Sequence, residues 1–422
     1  MFPQEILDLF IDELQHTSTN GPQRTEALRA WTLTSRGCCA RAQRHLFSKI
    51  ILDGSKREYL TSVNNLRQIL EEDKRITTYA KCLHIINIVD GTADGVRALC
   101  FVLGTMPKLH EIAIVTRSLQ DPPSWQGCQP EIKQALWNLR LVSPHLTTLT
   151  IEGLHDLDCR FFLSWKSISR ITLISCTFGN HLAIIPLTLE PEDLVSQCQT
   201  LTLTSKSIFL CHHLVTEHLK YSSLPVLPRL TTMSVEVESP MLVIVAWTCL
   251  FDSIRGAPLR RLALTNTLRS LQAQPAYWFT LEHLPKLRSL EISELLTGHR
   301  TCSGILKTIS NFFSSPCKPS GITSIAIDLT WPGSVDNVQG GADTLKMDII
   351  SPQLGWSELD NTLTSSTYPN LTSVRIHSYF LKRAECTTTH IRLIDTQDQK
   401  RATLLPLTNS SNSIELQFKY CG

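Results

Sequence analysis

The chain has 422 residues, too many for one ordinary compact core, so two or more domains or a repeat array are expected. Hydrophobic residues make up 42% of the chain and charged residues 18%, a balance that favours a folded protein over a disordered one. The formal net charge is only +2, which argues against a nucleic-acid-binding or membrane-surface protein, because either would need a clear basic excess.

Cysteine usage and the apolar runs indicate the compartment. The 14 cysteines are scattered and form no Cys-x-x-Cys pair, a pattern typical of small buried thiols in a reducing environment. The acidic, amphipathic start of the chain does not have the form of a signal peptide. The longest apolar run, 241–251, is about half of the ~20 residues needed to span a bilayer. We expect a protein without membrane contact, located in the cytoplasm, the nucleus or both.

Three helices are predicted at the N-terminus, over residues 3–14, 25–35 and 38–47. Pro3 stands where a helix prefers its first residue, and apolar side chains cover more than half of the first helix, which therefore needs burial on two sides. Residues 1–14 carry only acidic charges, whereas 24–49 are mostly basic. We interpret these charges as helix faces that attract each other rather than as a ligand site.

A short sequence motif, which we call the phrase, then recurs along the chain. It consists of an apolar residue, two variable residues and an apolar-x-apolar strand signal, and proline often precedes it. The spacing of successive copies runs from 22 to 49 residues, and the commonest spacings lie close to the ~20–29 residues of a leucine-rich repeat. The middle and final apolar positions of the copies are Ile86 and Ile88, Ile112 and Ile114, Leu149 and Ile151, Ile171 and Leu173, Leu201 and Leu203, Met233 and Val235, Leu262 and Leu264, Leu290 and Ile292, Ile325 and Ile327, and Val374 and Ile376.

Helices are predicted between the copies, over 92–106, 130–142, 241–254 and 303–313, which makes the fold class α/β. A doubly wound domain would also alternate strands and helices. The very short strand runs and the lack of a Gly-rich turn after any of them favour a curved solenoid of parallel strands instead.

The variable positions of each phrase should point outward from that solenoid. They are rich in Thr, Ser and Ala, with few charges and no cluster of one sign, which suits a protein partner better than a phosphate polymer. Ala113, Val115 and Ala326 are among them, and the residues we select as target contacts are Thr150, Glu152, Thr172, Thr202, Thr204, Glu236, Glu291, Asp328, Arg375 and His377.

The N-terminal residues resemble an F-box. The opening Phe2-Pro3-Gln4-Glu5-Ile6-Leu7-Asp8-Leu9-Phe10 is similar to the first half of that family, and residues 28–36 and 41–47 are similar to the second half in many fungal members. The phrases resemble irregular leucine-rich repeats that lack the usual Asn after the strand. The sequence departs from the F-box pattern at Cys38, where a tryptophan is usual, and at Trp31 and Thr34.

The resemblance implies a substrate-recognition subunit of a cullin-RING (SCF-type) ubiquitin ligase. Residues 1–52 would bind the linker subunit, 53–80 would form a helical linker, and 81–422 would form a solenoid with a C-terminal cap that binds an unknown target protein. The contacts with the linker subunit that the resemblance implies are Pro3, Ile6, Leu7, Phe10, Leu33 and Leu46. An alternative is a repeat scaffold, outside ubiquitination, whose N-terminal helices only cap the first repeat.

Motifs for catalysis are weak. Cys211, His212, His213, Glu217 and His218 form the best metal-like group, but a zincin needs two His four residues apart on a helix and a third ligand. His155 and Asp156 near Ser164 have no established triad geometry. No P-loop, G-x-S-x-G or G-x-G-x-x-G occurs. We expect a protein that is not an enzyme and binds no metal, cofactor or nucleic acid, and a hydrolase or transferase built on α/β units is the least favoured reading.

Overall fold

The computed structural model describes residues 3–14, 21–87, 92–117, 124–158, 165, 167–179, 197–204, 207, 209–210, 227–237, 254, 257–266, 281, 284–295, 302–314, 320–332, 355–381 and 413–421. The chain divides into two compact units, unit 1 over Met1–Gln197 and unit 2 over Cys198–Gly422, which are described in turn.

Unit 1 begins with three helices, α1 (Gln4–Glu13), α2 (Gly21–Thr32) and α3 (Arg36–Leu46). The second helix starts four residues before the predicted Thr25, because Pro22, which lacks the N–H that a first turn leaves unpaired, fits that turn. Ser35 caps α3, where its hydroxyl accepts a hydrogen bond from the Cys38 N–H (3.2 Å). The small core of the three helices is formed by the buried residues Ile11, Leu28, Cys38 and Ala42, against which Leu7, Leu14, Trp31 and Leu46 pack.

The rest of unit 1 contains five parallel strands with helices between the first four, and the helices pack in sequence, α4 on α6 and α6 on α7, among the described residues. Each strand pairs in parallel with the next one along the chain, and the middle apolar residues Ile112, Leu149 and Ile171 lie in register. The elements are β1 (Lys49–Asp53), α4 (Tyr59–Glu72), α5 (Lys74–Thr77), β2 (Cys82–Ile86), α6 (Ala93–Gly104), β3 (Glu111–Val115), α7 (Pro130–Val142), β4 (Thr148–Glu152) and β5 (Arg170–Ile174).

The first predicted phrase is placed three residues too late. In β2 the residue in register with Ile112 is Leu83, and Ile85, not Ile88, takes the final apolar position. The run of apolar residues satisfies the pattern in two frames, and the left-handed Asn87 (φ 49°) ends the strand before the predicted frame is complete. Ile88 itself lies outside the described residues.

The β1 strand was not predicted, because it falls partly within the 1–52 range given to the N-terminal module. Its Ile50 and Leu52 are buried and lie in register with Leu83 and Ile85 of β2. The sheet of unit 1 therefore begins immediately after α3.

Several strands end at a residue with left-handed backbone geometry, namely Asn87, Gly153, Ser175 and Asn266. The N–H groups of Asn87 and Gly153 donate to the last residue of the following strand, at 2.7 and 2.8 Å, so the ladder continues through the turn. Main-chain hydrogen bonds thus hold these turns, and at Asn87 the side-chain Oδ1 also accepts a hydrogen bond from the Arg117 N–H (2.7 Å). Gly153 is required, because a Cβ on it would lie 2.6 Å from the Thr116 carbonyl oxygen.

The described residues of unit 2 form seven strands, and each of the first six pairs in parallel with the next. Nine of the ten predicted strand signals in the chain thus lie in strands in their predicted frame, whereas β12 was not predicted. The elements are β6 (Thr200–Thr204), β7 (Thr232–Glu236), β8 (Arg261–Thr265), β9 (Ser289–Leu295), α8 (Cys302–Ser314), β10 (Ser324–Pro332), α9 (Trp356–Leu363), β11 (Ser373–Leu381) and β12 (Ser413–Cys421).

The predicted helices at 92–106, 130–142 and 303–313 are confirmed as α6, α7 and α8, whereas 241–253 lies outside the described residues. The α/β class with parallel strands is confirmed in both units. Within the part of the chain that the structure describes, no helix has the length and apolar content to cross a membrane.

Candidate functional site

The outer side of α1 is apolar. Ile6, Leu9 and Phe10 are 40%, 67% and 57% exposed, although Ile11 beside them is fully buried. Positions three and four residues apart share one side of a helix, so these three side chains form a continuous stripe. Leu33, in the turn that follows α2, is 88% exposed. We call the α1 stripe of Ile6, Leu9 and Phe10 the apolar face of the N-terminal module.

The structure divides the six predicted linker contacts into two groups. Pro3, Ile6, Phe10 and Leu33 are exposed, whereas Leu7 and Leu46 are half-buried and pack against the module's own core. Leu9 was not among the predicted contacts, although its position three residues after Ile6 was a sufficient signal.

A polar cluster holds α1 on α3. The Nε of Arg41 donates to Asp12 Oδ1 (2.7 Å), its Nη2 also donates to Asp12, and His45 Nε2 lies 2.7 Å from Oδ1. The Arg41 hydrogen bonds are the largest influence on the Asp12 carboxyl, and with help from His45 they outweigh desolvation and lower its pKa from 3.8 to about 2. The predicted attraction between the acidic and basic helix faces is confirmed at this contact.

Cys38, which stands where an F-box usually has tryptophan, belongs to the interior. Its side chain is buried in the core of the module, and Gln4 Nε2 of α1 lies 3.8 Å from its sulfur. Hydrogen bonds from the Ser35 and then the Thr34 side chain lower the pKa of the Cys38 thiol. Cys38 therefore lies in the module's own core and is not part of the apolar face.

The strand face of unit 1 brings three predicted target contacts together. Thr150 and Thr172 lie in register on neighbouring strands, Glu152 lies at the end of the first, and all three are half-buried. Ala113, which we predicted to point outward, is buried. Its methyl group lies between the longer side chains that are its register neighbours, His84 and Thr150, and they cover it.

Apolar and paired polar residues also lie on this face. Ile51 of β1 is exposed, and Val115 and Ile174 are half-buried. His84 Nε2 lies 3.0 Å from Glu111 Oε1 on the next strand. The face is thus mostly uncharged, with its histidine paired to a carboxylate.

The strand face of unit 2 places Thr202 and Thr204 on β6, both half-buried, and Glu236 on β7, which is exposed. Glu291, Asp328 and Arg375 follow on β9, β10 and β11 and are half-buried.

The prediction that the His377 side chain points outward from the sheet is wrong. It is buried, and its Nδ1 lies 3.1 Å from Oδ1 of its register neighbour Asp328. Ala326 is also buried, between the register neighbours Glu291 and Arg375.

The weak catalytic motifs gain no support. Residues 211–218 and Ser164 lie outside the described residues, and Asp156 accepts a hydrogen bond from Ser124 Oγ (2.9 Å) in a turn. Among the described residues, no group of three or more His, Cys, Asp or Glu has metal-binding geometry.

No known family model matches the chain, and a comparison with curated proteins finds no match. The resemblance to F-box and leucine-rich-repeat proteins therefore stays a prediction.

Proposed function

We propose that this protein is a substrate-recognition subunit of a cullin-RING ubiquitin ligase. Its N-terminal helices bind the linker subunit, and a curved leucine-rich-repeat solenoid formed by the later strands binds a target protein. Ubiquitin transfer belongs to the other subunits of such a ligase, so this chain only has to bind two partners at once.

The observation that carries the proposal is the apolar face of the N-terminal module. The three N-terminal helices form a core around Ile11 and Leu28. Leu9, Phe10 and Leu33 nevertheless remain more than half exposed to water. Burial of a large apolar side chain contributes about 1.5–3 kcal/mol, so this face gains a substantial free energy from a partner that covers it.

The repeated sheet supports the second half of the proposal. Strands of uniform register bury their middle and final apolar residues and leave the variable positions on the opposite face. In a solenoid, such a face is a continuous surface on which side chains change while the core stays the same. That separation suits recognition of a protein target.

Co-purification with the linker subunit tests the proposal. Leu9→Asp combined with Phe10→Asp puts charges into the apolar face and should weaken linker binding by at least about thirty-fold, the effect of losing an interface hot spot. Leu141→Asp, on the exposed surface of α7, is the matched control and should leave binding unchanged. Circular dichroism of each variant checks that the helices remain folded.

One observation favours the scaffold alternative. The α3 helix leads directly into β1, and the Ser48 carbonyl at that junction accepts hydrogen bonds from the Lys81 and Cys82 N–H groups of the next repeat. The three helices are therefore joined to the sheet as a terminal cap would be. A wild-type protein that binds no linker subunit would favour the cap and contradict the adaptor.

A further inference from the structure

Basic residues collect at the edge of unit 2 where β7, β8 and β9 begin. Five of them are exposed in the segments that enter these three strands or at their first residue, and the segments 227–231, 257–260 and 284–288 contain no acidic residue. The five, which we call the basic edge, are Arg229, Arg260, Arg261, Lys286 and Arg288.

Backbone hydrogen bonds place Arg260 and Arg288 side by side. The Arg288 N–H donates to the Arg260 carbonyl oxygen (2.8 Å), and the Arg260 N–H donates to the Thr231 carbonyl oxygen (2.8 Å). Neighbouring strands lie about 4.8 Å apart, and like charges directly opposite each other destabilise a sheet. An anion bound at this edge would offset the repulsion between the two like charges.

Three of the five charges are available to a ligand. Arg261 Nη2 lies 3.0 Å from Glu291 Oε2, and Arg288 Nη1 donates to the Gly321 carbonyl oxygen (2.8 Å). Within the described ranges, Arg229, Arg260 and Lys286 have no hydrogen-bond or ion-pair partner. The two paired arginines are thereby oriented, and the three others keep their full hydrogen-bonding capacity.

We propose that the basic edge binds an acidic segment of a partner polypeptide through its side-chain carboxylates. Arginine donates in a planar fork that matches a carboxylate, which favours this ligand chemistry. The adjoining strand face carries the exposed Glu236, which would repel a long polyanion laid across it. A short acidic segment can follow the edge and avoid that repulsion, whereas a long nucleic acid that extends over the face would meet it.

This inference does not depend on the N-terminal module. The basic edge lies in unit 2, so it would bind an acidic segment whether the α1 face binds a linker subunit or not. Loss of linker binding in the Leu9 and Phe10 variant and loss of acidic-peptide binding at the basic edge are therefore separate outcomes.

Fluorescence anisotropy with a labelled peptide of glutamates and glycines tests the proposal on the full chain. Arg260→Ala combined with Lys286→Ala should weaken binding by roughly five-fold, the effect of two surface ion pairs. Lys74→Ala combined with Lys307→Ala removes the same charge from exposed positions outside the basic edge and should leave the affinity unchanged. Added salt should weaken binding of the wild type more than that of the edge variant.

Three results would overturn the proposal. The first is a wild-type protein that binds the glutamate peptide no better than a glutamine peptide of the same length. The second is an equal loss of affinity in the two double variants, which would indicate a general charge effect. The third is a single-stranded oligonucleotide that binds more tightly than the peptide and loses affinity in the edge variant, which would assign the edge to nucleic acid.

Discussion

Removal of the Asp12 carboxylate should loosen α1 from α3 by an amount that follows from its pKa. The lowering from 3.8 to about 2 corresponds to about 2.5 kcal/mol of stabilisation at neutral pH. The Asp12 side chain is 31% exposed, so solvent screening reduces this value to about 1 kcal/mol. Because the folded-state pKa is lowered, the stabilisation is complete well above pH 3.8, about half of it remains near pH 3, and it is lost as the pH falls through about 2.

Hydrogen exchange of the α1 amides measures this effect locally. Asp12→Asn should raise their exchange rates about five-fold relative to the wild type at neutral pH, the equivalent of about 1 kcal/mol. The ratio should shrink near pH 3. Asp8→Asn is the matched control on the same helix, because Asp8 accepts only an exposed hydrogen bond from Gln4 (2.8 Å), and it should leave the rates unchanged.

Either of two results would refute the reasoning. Equal acceleration in the Asp12 and Asp8 variants would mean that helix charge, rather than the contact with Arg41 and His45, stabilises α1. A ratio for Asp12→Asn that stays constant from neutral pH to about pH 3 would mean that the carboxylate is not the titrating group.

Three further predictions concern stability, measured by urea unfolding. Leu149→Ala should cost about 2–5 kcal/mol, because the side chain is fully buried, whereas Thr150→Ala on the opposite face should change stability by less than about 0.5 kcal/mol. Gly153→Ala should cost about 1–3 kcal/mol, because its φ is +69° and the added Cβ would lie 2.6 Å from a carbonyl oxygen, whereas Gly104→Ala, which meets nothing within 4 Å, should cost nothing. Tyr368→Phe should cost about 1–2 kcal/mol, because the hydroxyl donates a buried hydrogen bond to a main-chain carbonyl oxygen (2.6 Å) and leaves it unpaired when removed; an unchanged unfolding midpoint would contradict this.

The strand repeats could be predicted because the alternation of apolar and variable residues is visible within each phrase. The period-two burial of Leu149 and Ile151, or of Leu201 and Leu203, needs only six residues to be visible. The prediction failed where that evidence was ambiguous or assigned elsewhere. The apolar run in β2 fits two frames, and β1 was attributed to the helical module.

The candidate sites were less predictable, because the exposure of a side chain depends on its neighbours in space. The sequence places Ala113 on the outward face, but only the strand register shows that His84 and Thr150 flank and cover it. His377 is buried for a similar reason, since its partner Asp328 lies 49 positions away in the chain. The exposed part of α1 was easier to find, because one helix determines it.

The in-register pairing of the strands has a consequence for how this chain tolerates change. The segments that connect successive strands differ widely in length, yet Ile112, Leu149 and Ile171 stay aligned. Insertions in those connections should leave the alignment intact, whereas one extra residue inside β4 would exchange the positions of Leu149 and Thr150 between core and surface. The connecting segments can therefore change in length, whereas the strands cannot.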